Sequence, residues 1–181
     1  MTMDKDNNKE IKQTFLTAAI SDISTYIQLA DTKVSIIMAA VVAILVGIAS
    51  CYEPIVAVVR NITPCSWIGV LFIIFTLLCI ISTILVFLFG LLTIRAHSSN
   101  IKYKSKWFLP QSTKEYSFSE FSKDIKQMTD DDIIENMAAE LYKLNDINRQ
   151  KNTTLKLTVY SFSSLLITLL IVGILLLTSI I

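Results

Sequence analysis

Breakers of regular structure are scarce in this chain, which has 4 glycines and 3 prolines among 181 residues. None of them falls between Glu10 and Gly47, so nothing stops a single helix from running through that stretch. Histidine is limited to His97, and no P-loop, GxGxxG, GxSxG or HExxH pattern occurs. Catalysis therefore has no recognisable foothold, and an enzyme is not expected. Charge is also low, at 17% of residues, with the basic side chains interleaved with acids rather than gathered into an arm. That pattern points away from nucleic acid. With 3 cysteines, at most one bridge can form.

What is present instead is apolar surface, gathered into runs. Hydrophobic residues make up 53% of the chain, and the mean hydropathy is +0.59. Positions 34–52, 61–94 and 157–181 carry no charge, and each run reaches the roughly 20 residues a spanning helix needs. Some thirty mixed polar residues precede the first run, so a cleaved signal peptide is rejected. The expected fold is an all-α integral membrane protein. It has three transmembrane helices, the first and third extended by long cytoplasmic helices. The segments expected are a flexible 1–9, a helix 10–51 entering the first span, an extracytoplasmic loop 52–66 and a second span 67–94. A cytoplasmic connector 95–129 and a helix 130–181 entering the third span follow.

Orientation comes from Lys and Arg. Lys5, Lys9, Lys12 and Lys33 precede the first span, only Arg60 lies in the next loop, and 11 basic residues run from Arg95 to Lys156. The positive-inside rule then places the N-terminus and the large loop in the cytoplasm and the C-terminus outside. The apolar runs imply lipid as a partner. Tyr52, Trp67 and Tyr160 stand where interfacial anchors do.

Both long helices carry apolar stripes at 3–4 spacing. Ile11, Phe15, Leu16, Ala19, Ile20, Ile23, Tyr26, Ile27 and Ala30 form the first; Ile134, Met137, Leu141, Leu144 and Ile147 or Asn148 form the second. These stripes can pack side by side within a subunit or between subunits, and a homo-oligomer is expected. Thr129 and Asp132 are spaced as a capping box for the second helix. Asp130, Asp131 and Asp132 suit a helix N-terminus, and no metal site is expected of them. In the connector, Tyr103, Trp107, Phe108, Tyr116, Phe118 and Phe121 point to packing rather than disorder.

The boundary charges Asp31 and Lys33 stand at the inner end of the first span. Lys33 reads as an anchor whose ammonium snorkels to the interface. A carboxylate beside acyl chains is costly and needs a partner, so Asp31 is expected to pair with Arg149, Lys151 or Lys156 across the subunit or oligomer. Ala39, Ala43 and Gly47 share a face that would admit a close helix neighbour. Ser161, Ser164 and Thr168 share another, suited to hydrogen bonds between helices or to lining a polar pore. Cys79 reads as a small apolar filler. Cys51 and Cys65 bracket the outer loop, either bridged in an oxidising compartment or unpaired.

"ADTKVSIIMAAVVAIL" (Ala30–Leu45) and "ELYKLNDINRQKNTTLKLTVYSF" (Glu140–Phe162) resemble the two signatures of the Pycsar effector family PycTM. Lys151 occupies the place of the family's late lysine. "FLPQSTKEYSFSEFSKDI" (Phe108–Ile125) is similar to its proline-then-aromatic middle, although an arginine expected after Pro110 is missing. The resemblance spans about residues 12–180. It implies a membrane effector of anti-phage immunity, whose partner nucleotide cyclase supplies cyclic CMP or cyclic UMP (cCMP or cUMP). The effector would answer by impairing the inner membrane, causing abortive infection. No other cofactor is implied. A cyclic phosphate wants Lys or Arg, and a pyrimidine wants amides. Lys143, Asn145, Arg149 and Lys151 are therefore the candidate ligand-binding residues. The competing classes are a constitutive scaffold or transporter subunit and a holin-like toxin, neither with a nucleotide ligand.

Overall fold

The structure, a computed structural model, describes residues 3–62, 66–95 and 117–179. Five helices follow one another along the described residues: α1 (Met3–Ser50), α2 (Tyr52–Asn61), α3 (Trp67–Ile94), α4 (Phe118–Lys126) and α5 (Asp130–Thr178). No strand occurs among these residues. Helices α1, α3 and α5 are each long and apolar enough to cross a membrane, and α1 and α5 run 48 and 49 residues.

Local chemistry explains the ends. Helix α1 begins at Met3, within the segment expected to be flexible. It stops at Ser50, and the next helix carries Pro54 in its first turn. Were α1 to continue, the Pro54 ring would press on the carbonyl of Ser50 and leave it without its amide partner. Restarting the helix at Tyr52 puts the proline where a missing N–H costs nothing. The segment expected to be a loop is thus helical over Tyr52–Asn61. Helix α3 is capped by Ser66, whose hydroxyl accepts the Gly69 N–H at 3.0 Å. At α5 the expected capping box is formed. The Thr129 N–H donates to Asp132 at 2.9 Å, and the Asp132 N–H donates back to the Thr129 hydroxyl at 3.3 Å.

Helix α4 has a second capping box, between Ser117 and Glu120. The Ser117 N–H, and then its hydroxyl, hold the Glu120 carboxyl below the usual carboxylate range. That support is complete at neutral pH and is lost as pH falls through the lowered pKa.

The chain divides into two compact units, Met1–Leu29 with Ala96–Gln150, and Ala30–Arg95 with Lys151–Ile181. In the first, Lys9 lies 3.7 Å from Asp130 and 3.5 Å from Asp131. These are exposed pairs of small energetic weight. Leu16, Ala19, Ile20, Ile23 and Ile27 are half-buried, whereas Ile11, Phe15 and Tyr26 of the same stripe are exposed. The most buried residues of α5 in this unit are polar, Asn136 and Glu140. Of the aromatic connector, residues 96–116 lie outside the described residues, as do Cys65 of the considered bridge, Pro64 and His97.

The second unit packs α1, α3 and α5 in two apolar layers. Ala30, Val34 and Leu155 form one, with Met38 against it; Val41, Val86 and Leu165 form the other. Between spanning helices the hydrophobic effect supplies little, because lipid tails are as apolar as the neighbouring helix; close packing and hydrogen bonds hold the contact. The close approach comes at Gly90, where an added Cβ would stand 3.1 Å from Met38 Sδ and 3.4 Å from Val34 Cγ1. It does not come at Ala39, Ala43 and Gly47, which are all exposed. Nothing lies within 4 Å of a Cβ built at Gly47.

Gly90→Leu is therefore expected to force α1 from α3 and lower stability by about 1–3 kcal/mol. Gly90→Ala should be tolerated, because the flexible Met38 side chain can yield. Circular-dichroism melts in detergent compare the two.

Candidate functional site

Lys151 is a charged residue placed where charge is expensive. It is 6% exposed, one helical turn before the buried Leu155. Its ammonium donates to both oxygens of Asp31, at 2.5 Å and 2.7 Å. The Asp31 side chain keeps 39% of its surface exposed, so the cation is dry while its partner still reaches solvent.

The sequence builds this pair locally. Ala30 is buried to 3% beside Val34 and Leu155, and so small a residue lets α5 come close enough for Lys151 to reach across. The Ser35 hydroxyl donates to the Asp31 carbonyl at 2.9 Å, and the Thr154 hydroxyl donates to the Lys151 carbonyl at 3.0 Å. Backbone acceptors on both sides of the ion pair thus take a further hydrogen bond. Desolvating an ammonium costs several kcal/mol, and two short charge-assisted hydrogen bonds offset it. Removing Asp31 alone would leave that cost unopposed.

Of the three cations expected for Asp31, the structure selects Lys151, and the pair closes within one chain. Lys156 and Lys33 are exposed. Lys33 lies two residues from Asp31 on the same helix, a spacing that turns side chains apart. Among the candidate ligand-binding residues, Arg149 is exposed and lies 2.9 Å from Asp146. Lys143 lies 3.9 Å from Glu140. The Asn145 amide, also exposed, donates to the Leu141 carbonyl at 3.0 Å. Each of these has a neighbour on its own helix, whereas Lys151 reaches a different helix. A cavity of about 90 Å³ in the first unit is lined by Thr17, Ile20, Asn136, Met137 and Glu140.

Hydroxyls supply further polar contacts in the second unit. Ser82 and Ser164 meet at 3.1 Å, and the Cys79 thiol donates to the Thr168 hydroxyl at 3.2 Å. Hydrogen bonding between helices, expected for Ser164 and Thr168, is present. Cys79 is more than an apolar filler, because its sulfur faces a hydroxyl. Sequence periodicity had offered one signal for Ser82: it stands one turn from Cys79 on α3.

The model of one family, the PycTM Pycsar effector protein domain, matches residues 15–179. No curated protein and no solved structure matches the chain. The match covers most of the sequence, and the chain belongs to this family. Together with the three apolar helices, it makes this a multi-pass membrane protein of anti-phage defence.

A double-mutant cycle with Asp31→Asn and Lys151→Met should give a coupling energy between about 0.5 and 3 kcal/mol. Lys151→Met alone should be milder than Asp31→Asn, because it removes the buried charge rather than stranding it. Thermal unfolding in detergent or nanodiscs measures both.

Proposed function

We propose that this member of the PycTM family senses a cyclic pyrimidine nucleotide, cCMP or cUMP, made by a partner cyclase on infection. It answers by impairing the integrity of the bacterial inner membrane, so that the infected cell is lost before phage matures. The observation carrying this reading is the Asp31–Lys151 pair. Each partner stands at the point where its helix passes from a polar sequence to an apolar one. An anion recognised at that depth would compete directly for the cation that joins the helices.

A ligand shifts a two-state protein only by binding one state better. A cyclic phosphate suits Lys151 as a charge-assisted donor; Arg149, Lys143 and Asn145 are the other candidate ligand contacts. Lys151 can donate to the phosphate fully only where its pair with Asp31 is broken, and that preference for the loosened state is the differential affinity required. Moving an equilibrium from 1:99 to 99:1 needs about 5.5 kcal/mol. This exceeds the coupling of one ion pair, so several contacts or several subunits must contribute. Exposed Ala39, Ala43 and Gly47 on the apolar half of α1, and exposed Ile11 and Phe15 on its polar half, support a homo-oligomer. The polar halves and the large loop face the cytoplasm on the Lys and Arg distribution, where the cyclase product is made.

Cells expressing the chain with and without a pyrimidine cyclase, followed with a membrane-potential dye, test this. Depolarisation is expected only when both are present. Depolarisation by the chain alone would make it a holin-like toxin. None in either case would make it a scaffold or transporter subunit.

A further inference from the structure

A bundle of spanning helices normally keeps its polar atoms few. In the second unit the buried side chains facing the bundle interior include Thr158, Ser161 and Thr168 of α5 and Ser82 of α3. The large apolar residues of α3, such as Ile73, Leu77 and Ile84, are exposed on the outside. Hydroxyls that bond back to their own helix are common glue in spanning helices, and Thr158 and Thr168 do so, to the Thr154 and Ser164 carbonyls. Two features go beyond glue.

The first is continuity. On α3, Thr76, Cys79 and Ser82 recur every three residues and lie on one helix face. Cys79 meets Thr168, and Ser82 meets Ser164. Polar atoms therefore form a ladder along the α3–α5 contact. The second is an orphan. The Thr76 hydroxyl oxygen, next in that series, is buried without a hydrogen-bond partner. A buried unmade hydrogen bond costs about 1–3 kcal/mol, and water is its natural partner. The apolar layer of Val41, Val86 and Leu165 lies against this ladder: Cys79 packs on it, and Leu165 falls between Ser164 and Thr168 on α5.

We infer that the α3–α5 ladder is the ion path of the membrane lesion, closed at rest by the Val41–Val86–Leu165 layer. Protons and small monovalent cations are the species it suits. Neutral hydroxyl oxygens replace part of a cation's hydration shell without holding it as a fixed charge would, and an apolar constriction blocks conduction while it stays dry. This inference rests on the proposed membrane-impairing function and names the route by which it acts.

The full chain in proteoliposomes, loaded with a pH-sensitive dye and separately with carboxyfluorescein, tests the path without any nucleotide. Leu165→Ser should pass protons several-fold faster than the unaltered chain and retain carboxyfluorescein. Val86→Thr, which keeps the side-chain shape, should act in the same direction and stands in if Leu165→Ser loses its helical circular dichroism. Adding Ser82→Ala and Ser164→Ala to the conducting variant should reduce the flux. Were the hydroxyls only glue, their removal would loosen the bundle and raise it. Folded layer variants that do not conduct, release of carboxyfluorescein with the protons, or flux unchanged or raised by the alanines would each overturn the inference. Conducting layer variants in a chain whose wild type ignores cCMP and cUMP would instead overturn the nucleotide reading and leave the path standing.

Discussion

Burying an ammonium where a helix turns apolar costs several kcal/mol unless a counter-charge stands beside it, and the packing of the spanning unit is arranged around that constraint. Lys151 is nearly inaccessible, and its counter-charge is Asp31 on another helix. For the two to meet, α1 and α5 must lie at contact distance and in fixed register, and Ala30, Val34 and Leu155 pack where they do. The two segments that resemble family signatures, one around Asp31 and one around Lys151, are the two halves of a single contact. Seen this way, "ADTK" has a division of labour: Ala30 gives room, Asp31 gives charge, and Lys33 stays exposed.

Beyond the ion pair, the spanning unit is held by terms that survive in lipid. Exposed isoleucines and leucines on α3 are at home among acyl chains, so burying them would gain little. Close approach at Gly90 and the hydroxyl contacts of Ser82 and Cys79 do what a hydrophobic core does in water. Such contacts are individually modest, and a bundle built from them can exchange one packing for another at small cost. The ion pair adds a charged restraint to these contacts.

Much of this was legible in the sequence because it depends on composition and spacing. Uncharged runs gave three spanning helices, the scarcity of glycine and proline gave two long ones, and Thr129 with Asp132 gave a cap that formed. The cost of a carboxylate near lipid singled out Asp31 and named Lys151 among three partners. Facing was less legible. The small residues Ala39, Ala43 and Gly47 have the spacing of a close contact, but spacing does not say which face meets a neighbour, and Gly90 holds that place within the chain. Cys79 was read by its own polarity, whereas its role depends on Thr168, which is 89 positions away. The buried Asn136 and Glu140 interrupt an apolar stripe whose period gave no hint of them. Pro54 by itself reads as a stop, but a proline near a helix start permits a new helix, and α2 follows.

On the proposed function, Lys151 is bound to Asp31 at rest and is surrendered to an anionic ligand. Solid-state NMR on the chain in bilayers, with ¹⁵N in the lysine side chains and ¹³C in the aspartate carboxyls, observes it directly. A strong Nζ–Cγ dipolar coupling, absent in Lys151→Met and lost at saturating cCMP or cUMP, is the predicted result. A resting protein with no such coupling, or a coupling that persists unchanged when nucleotide binds, would contradict it.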